Sequence, residues 1–451
     1  MKHVGLNVAA DAFMNSAVTG TNGGLVLAVA DDPGMHSSQN EQDSRYFAQF
    51  ALIPCFEPRN QQECYDMMFE AFELSEELQQ PVLFRTTTRI NHSTAVVTTG
   101  PLKARSPKGR FVKDPLNYVP VPVVARKLHA RLLERLEAAE KLAAQSPLNF
   151  TTGDGDWGIV CNGVSHGYVC DALRDLGIRD RVRVLRIGFS HPLPAGLVTG
   201  FLKACSRVLV VEEGEPFMEE TFKAFAQEAG LTLPIRGKGP ELFSRLYEFD
   251  PAMVKKVIAA YFEVPYSPPT IPDLSDLPEI PQRPPTLCAG CSHRATFYAV
   301  KKATEGLDTI YPPDIGCYTL GFLPPLSMGD FLICMGSSAG TAGGFAQVTD
   351  QKVLAFIGDS TFFHSGIAGL VNAVFNKHNF TLVILDNGTT AMTGHQPHPG
   401  VDMHELGIEG YGRVSIESVV KALGVRHVTT IRPYNTKKSI AAIRESLEFE
   451  G

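Results

Sequence analysis

The chain contains no apolar run of roughly eighteen residues, the length that a membrane-spanning helix needs, so no transmembrane segment is expected. Nor is an export signal expected from its first residues. The start, MKHVGLNVAADAF, has none of the charged-then-apolar patterning of a signal peptide. Basic residues are not in excess: the formal net charge is −7, which argues against a nucleic-acid-binding surface. Cysteine is sparse, at 9 in 451 residues, and no export signal accompanies it. The thiols therefore read as those of a cytoplasmic, reducing environment, with metal work open to them and a disulfide framework excluded. Heptads, low-complexity tracts and short repeats are missing as well. The remainder is 44% hydrophobic and 20% charged, an ordinary globular composition. Its length suits about two to four domains.

Three blocks of alternating strand and helix pattern follow one another, the mark of an α/β protein. In the first, 1–130, Gly24–Ala30 reads as a buried strand ended by Asp31-Asp32-Pro33-Gly34. Cys64–Glu77 reads as an amphipathic helix and Pro81–Arg85 as a further strand. A charged helical stretch over Val121–Ala144 leads out of it. The second block, 150–262, repeats the pattern on a smaller scale, with strands at Gly158–Gly163, Val182–Ile187 and Arg207–Glu213 and a helix at Ser165–Leu176. Residues 263–286 are proline-rich and read as a semi-rigid linker. The third block is 287–451.

The third block carries the chemistry. Val353–Ile357 is a short apolar run stopped by Gly358-Asp359-Ser360. Phe363–His378 then places Ile367, Leu370, Val371, Val374 and Phe375 on one helical face. Phe380–Leu385 is a second apolar run, ending at Asp386-Asn387-Gly388-Thr389. Strand, helix and strand form a right-handed βαβ unit with two parallel neighbours. Ligands bind beyond the carboxyl ends of such strands, so Asp359 and Asn387 share one mouth of the sheet. Their side-chain oxygens and the Thr389 carbonyl are hard ligands suited to Mg²⁺ holding a diphosphate. By themselves these residues also suit plain turns after strands. Gly336-Ser337-Ser338-Ala339-Gly340-Thr341-Ala342-Gly343-Gly344 upstream favours the diphosphate, because small residues let backbone N–H groups approach a phosphate closely. The same stretch equally suits a small-residue helix packed on the sheet. Gly153-Asp154-Gly155 is a decoy, since it precedes its strand.

Cys288-x-x-Cys291, followed by Cys317 and Cys334, has the spacing of a Zn²⁺ or iron–sulfur site, and also suits small buried thiols. Cys334 closes an apolar run and reads as core. Cys55, Cys64, Cys161, Cys170 and Cys205 lack ligand spacing and read as core too.

The segment GDSTFFHSGIAGLVNAVFNKHNFTLVILDNGTTAMTGHQPHPG closely resembles the diphosphate-binding domain of the large (alpha) subunit family of indolepyruvate ferredoxin oxidoreductase. LCAGCSHR at 287–294, DIGCYTLGFLPPL at 314–326 and GLNVAADAFMNSAVTGTNGGLVLAVADDPGMHSSQNEQDSRYFAQF near the start resemble the same family. The resemblance runs along essentially the whole chain. It implies a multi-domain α/β fold: doubly wound parallel-sheet domains that bind thiamine diphosphate, with a smaller α/β domain between them. Block one is then a partial aminopyrimidine-binding domain and block three the diphosphate and Mg²⁺ domain.

The cofactor residues so implied are Gly336, Ser337, Gly358, Asp359, Ser360, Asn387 and Thr389, with Cys317 and Tyr318 beside them. Cys288, Cys291 and Cys317 resemble three ligands of a [4Fe–4S] cluster, whose fourth is expected beyond Gly451. The glutamate that activates the aminopyrimidine is expected upstream of Met1. A ferredoxin-like cysteine-rich tail is expected after the last residue. The chain is thus expected to be truncated at both ends.

The activity implied is oxidative decarboxylation of an aryl 2-oxo acid with CoA, giving an aryl-acetyl-CoA, CO₂ and reduced ferredoxin. The partners implied are a smaller (beta) subunit and ferredoxin, in a dimer of heterodimers, with neither nucleic acid nor membrane. A non-redox thiamine diphosphate decarboxylase and a truncated subunit without independent catalysis are the alternatives.

Among histidines, His364 is the foremost catalytic candidate, because it stands at the head of the helix after Asp359. Neutral imidazole there can polarise a carbonyl or relay a proton. His395 and His398 lie on loops around the same site. His3, Asn7 and His36 are substrate candidates in block one. Phe362, Phe363, Met392 and Tyr318 suit either an apolar substrate pocket or core, and Gly394 and Gly400 suit hinges of a moving loop.

Overall fold

The computed structural model describes residues 1–101, 111–268, 270, 272 and 275–450 and divides into two compact units, Met1–Pro272 and Asp273–Gly451. The first unit forms strands β1 (Val26–Ala30), β2 (Cys55–Phe56), β3 (Val82–Thr86), β4 (Phe150–Thr152), β5 (Trp157–Asn162), β6 (Val182–Ile187), β7 (Phe189–His191), β8 (Arg207–Val211) and β9 (Ile235–Arg236). They build a four-stranded sheet of order β1-β3-β2-β7 and a five-stranded sheet of order β4-β6-β5-β8-β9. Strands β7 and β4 are antiparallel to their neighbours and the rest are parallel. Phe189–His191, from the second sequence block, thereby completes the sheet of the first.

Burial follows strand position. Every residue of β5 is buried, as a central parallel strand with helices on both faces requires. Ile159 and Cys161 join one apolar cluster with Val169 and Ile258, while Val160 joins another with Leu185 and Phe222. Outer strand β1 buries only Val29. The helix Gln61–Leu78 starts at Asn60, whose side chain accepts from Glu63 N. Buried ion pairs lie among the carboxyl-end loops: Arg45 with Asp43 and Glu212, and Arg85 with Asp31 and Glu57.

The second unit is built on β10 (Thr309–Ile310), β11 (Lys352–Gly358) and β12 (Thr381–Leu385), parallel and in that order. Leu354 and Phe356 of β11 pack with Phe297, Val300, Ile443 and Leu447 from the helices Ser292–Ala303 and Thr436–Glu448. Ile357 packs with Phe362, Leu370 and Val420, and Ala355 with Ala342. Strand β12 is half-buried except at Leu385, because a cavity of about 800 Å³ separates it from the segment 424–431.

Three local expectations need correction. The helix after β11 starts at Asp359, not at Phe363, and passes through a π-type turn at Phe362–Gly366 before ending at Phe375. Val371 and Phe375 are exposed, at 45% and 83%, although Leu370 on the same helix is buried. They stand four residues apart, one turn of the outward row, while Leu370 faces the core. Cys334 and Cys170 are exposed too. Cys334 is at the surface because the run before it, with Phe331 and Ile333, lies there as well.

Candidate functional site

The parallel register sets Gly358 beside Leu385, so the helix starting at Asp359 and the turn 386–389 leave the sheet side by side. Asp359 is only 3% exposed. Its Oδ2 accepts from Asn387 N at 3.0 Å and Gly388 N at 2.7 Å, and its Oδ1 accepts from Ser360 N at 2.7 Å. The Asn387 carboxamide, with its nitrogen turned inward, donates to Asp359 Oδ2 at 3.2 Å and to the Thr389 carbonyl at 2.9 Å. A carboxylate, a carboxamide and a carbonyl therefore converge on one corner. A half-turn of the carboxamide presents oxygen from all three. Burial raises the pKa of the adjacent Asp386 carboxyl, and the nearby Asp359 carboxylate raises it further. An all-oxygen donor set with crowded negative charge fits a hard divalent cation.

His398 closes this corner. Its Nε2 lies 3.0 Å from Asp359 Oδ2, close but out of line for a hydrogen bond. Gly400 N donates to Nδ1 at 3.1 Å, so Nε2 carries the ring proton. The imidazole stacks on Phe363 at 5.7 Å. A Cβ at Gly400 would stand 2.7 Å from the Phe363 ring and 3.1 Å from His398, which is why glycine is needed there.

The candidate diphosphate cradle is the N-terminus of the eleven-residue helix Ser338–Val348. Gly336 before it has φ +84°, and a Cβ there would fall 2.0 Å from Ser365 Oγ. Ser337 Oγ donates to the Cys334 carbonyl at 2.8 Å, and Cys334 N donates back to it at 3.2 Å. A Cβ at Gly340 would meet nothing within 4 Å, leaving room against the first turn. Tyr318 is buried, and its hydroxyl donates to Asp314. Its ring fills the space above Gly316 and Gly358, where added Cβ atoms would lie 2.2 and 2.6 Å away.

Cys288 is exposed, while Cys291 and Cys317 are half-buried. Burial raises the Cys317 thiol pKa, and Cys291 and then Cys288 add to that rise, so the three sulfurs lie within electrostatic reach of one another. Among the described residues, no three His, Cys, Asp or Glu side chains are already closed around a metal-sized point. Thiols are in kind the ligands of a soft iron–sulfur group.

His364 is exposed, with Nδ1 3.1 Å from Ser365 Oγ. His395 is exposed at φ +60°. Phe362 is core, Phe363 is half-buried and Met392 is 51% exposed. His3, Asn7 and His36 belong to the first unit. His3 is buried with Nε2 3.1 Å from Asn40 Oδ1, Asn7 is exposed, and His36 Nε2 lies 3.1 Å from Glu248 Oε1. Two buried polar residues near the corner had drawn no attention in the sequence. His293 meets Tyr318 edge-on at 6.2 Å; burial lowers its pKa while Asp359 pulls it up. Burial pushes the Asp314 carboxyl up to about 6. The signal for each was its place inside a motif, LCAGCSHR for His293 and DIGCYTLG for Asp314.

Residues 314–451 match the family described as thiamine pyrophosphate enzyme, C-terminal TPP binding domain. The molecule is thus a thiamine diphosphate-dependent oxidoreductase of α/β fold. It is 47% identical over 458 residues to the indolepyruvate oxidoreductase subunit IorA of Methanothermobacter thermautotrophicus, an alignment covering 100% of this chain and 73% of that one. The IorA subunit of Thermococcus kodakarensis is 42% identical over 476 residues, with the same two shares. A solved 2-oxoglutarate:ferredoxin oxidoreductase from Magnetococcus marinus overlays 57% of this chain and 52% of its own at 13% identity, with a TM-score of 0.43. The chain belongs to the indolepyruvate oxidoreductase subunit IorA family, as its motifs had suggested.

Proposed function

We propose that this chain is the cofactor-bearing subunit for oxidative decarboxylation of aryl 2-oxo acids, indolepyruvate among them. With CoA the products are an aryl-acetyl-CoA, CO₂ and reduced ferredoxin. The observation that carries the reading is the convergence of Asp359 Oδ2, the Asn387 carboxamide and the Thr389 carbonyl at the strand ends. These three groups would hold Mg²⁺, and the backbone N–H groups around Gly336 and Ser337 would take the diphosphate. Gly358 and Ser360 shape the same corner, with Tyr318 packed behind it. When bound, thiamine diphosphate supplies the electron sink for cleavage of the carboxylate bond.

The chain's own residues do the rest. Asp359 and Asn387 fix the cation that neutralises the diphosphate. His398 holds Asp359 in orientation. His364, exposed on the π-type turn Phe362–Gly366, exchanges protons with substrate, and His395 lies on the neighbouring loop. Cys288, Cys291 and Cys317 would hold an iron–sulfur cluster, which would supply a route for the electrons. The working assembly is a dimer of heterodimers with a smaller subunit, in the cytoplasm, serving ferredoxin. Block 1–130 acts as part of the aminopyrimidine domain, 150–262 as the small α/β domain, 263–286 as linker and 287–451 as the diphosphate domain.

Titration calorimetry tests the site. Wild type is expected to bind thiamine diphosphate only with Mg²⁺, and Asp359→Ala to lose more than about a hundredfold in affinity. Normal binding by Asp359→Ala would remove the metal assignment. Iron content and the visible spectrum of anaerobically purified protein test the cluster. Cys317→Ser is expected to lose both. A colourless, iron-free enzyme that decarboxylates without reducing a dye would establish the non-redox decarboxylase instead.

A further inference from the structure

Asp314 has no exposed surface, yet it is the meeting point of three segments that the proposed site needs in register. Its Oδ2 accepts from Ser338 Oγ at 2.8 Å. This donor is the first residue of the helix Ser338–Val348. Its Oδ1 accepts from the Tyr318 hydroxyl, one residue after Cys317. The Tyr318 oxygen lies in turn 3.3 Å from Thr361 Oγ1, in the helix that begins at Asp359. The Asp314 carbonyl accepts from Thr319 Oγ1 at 2.7 Å, which fixes the same turn a second time. The backbone of Pro313 bridges Phe356 in the middle of β11, so the carboxylate is held against the sheet rather than on a loose loop.

We infer that Asp314 is a positioning residue for the cofactor: it locks the helix entry that cradles the diphosphate to the Tyr318 turn and so to the Asp359 helix. It touches neither cation nor diphosphate. A buried carboxylate suits this task because each oxygen accepts several hydrogen bonds, which lets one side chain gather donors from separate segments. Asparagine keeps the shape but replaces one acceptor oxygen by an N–H₂ donor. Either the Ser338 limb or the Tyr318 limb then loses its acceptor. The two limbs move apart and the cradle loses its fixed distance from Asp359.

The inference rests on thiamine diphosphate binding at Asp359 and Asn387, and the test separates the two. Mg²⁺-dependent thiamine diphosphate binding is measured by calorimetry on wild type, Asp359→Ala, Asp314→Asn and Ser338→Ala holoprotein stripped of cofactor. Circular dichroism checks folding at the same temperature. Expected are wild-type binding, its loss in Asp359→Ala, and about a tenfold weaker affinity in folded Asp314→Asn. The KM for thiamine diphosphate should rise with kcat restored at saturating cofactor, a split that general loss of folded protein does not produce. If Asp314→Asn does not fold, Ser338→Ala carries the test, with an expected loss of about threefold for one limb. Wild-type affinity in folded Asp314→Asn, or in Ser338→Ala where Asp314→Asn is unfolded, overturns the inference and leaves the site reading intact. Absence of binding in wild type overturns both.

Discussion

His398 Nε2 lies 3.0 Å from Asp359 Oδ2, with the imidazole stacked on Phe363 and its other nitrogen bound by Gly400 N. The carboxylate proposed to hold the cation therefore has beside it an imidazole from a loop 39 residues further along the chain. Partners of this kind orient a metal ligand and tune its basicity, and their loss costs about 10–100-fold in metal affinity. His398→Ala is expected to weaken Mg²⁺-dependent thiamine diphosphate binding within that range, while His364→Ala leaves it unchanged. Calorimetry on both variants decides; equal affinities for His398→Ala and wild type would sink the role.

Gly358 has φ −79°, so its backbone tolerates any residue. Its side is closed by the Tyr318 ring, 2.6 Å from an added Cβ. Gly358→Ala should destabilise the second unit by about 1–3 kcal/mol through overpacking. Adding Tyr318→Phe should not rescue it, because the clash is with the ring rather than the hydroxyl. Chemical denaturation of the single and double variants reads this out.

Arg45 is fully buried between Asp43 and Glu212, at 2.5 Å from each. Burial raises the Glu212 carboxyl even with Arg45 beside it. Arg45→Met leaves both carboxylates without that partner, and unpairing a buried charge costs about 3–5 kcal/mol. The first unit should unfold at correspondingly lower denaturant. A loss under about 1 kcal/mol would mean that the carboxylates find other partners or protons.

The Asp314 carboxyl moves from the ordinary 3.8 to about 6 on burial. The folded protein thus holds a proton that the unfolded chain releases between those values. Stability from this group is present at low pH and falls as pH rises across that window, by about 3 kcal/mol in all. Asp314→Asn has no such titration. The stability of wild type relative to the variant should therefore decline from pH 4 to pH 7, which denaturation at a series of pH values measures. A flat difference would show that the hydrogen bonds to Asp314 outweigh its burial.

Much of the second unit was legible from its sequence. The apolar run at Val353–Ile357, its stop at Gly358 and the run closing at Leu385 became β11 and β12 in parallel pairing. That reading works because strand and helix periodicity are local, set by residues a few positions apart. The same locality misled for Val371 and Phe375: they share the helix's apolar composition, but whether a row is covered depends on what packs across it. Cys334 failed for the same reason.

The sequence by itself determined the α/β class, the family and the adjacency of Asp359 and Asn387 at two strand ends, since each rests on contiguous motifs. Only the tertiary structure decided which polar groups are buried together. Asp314 meets Ser338 across 24 residues, Asp359 meets the Asn387 amide across 28, and Arg45 meets Glu212 across 167. Buried polar groups must be paired wherever the fold brings them, and that pairing has no period along the chain for a sequence to display.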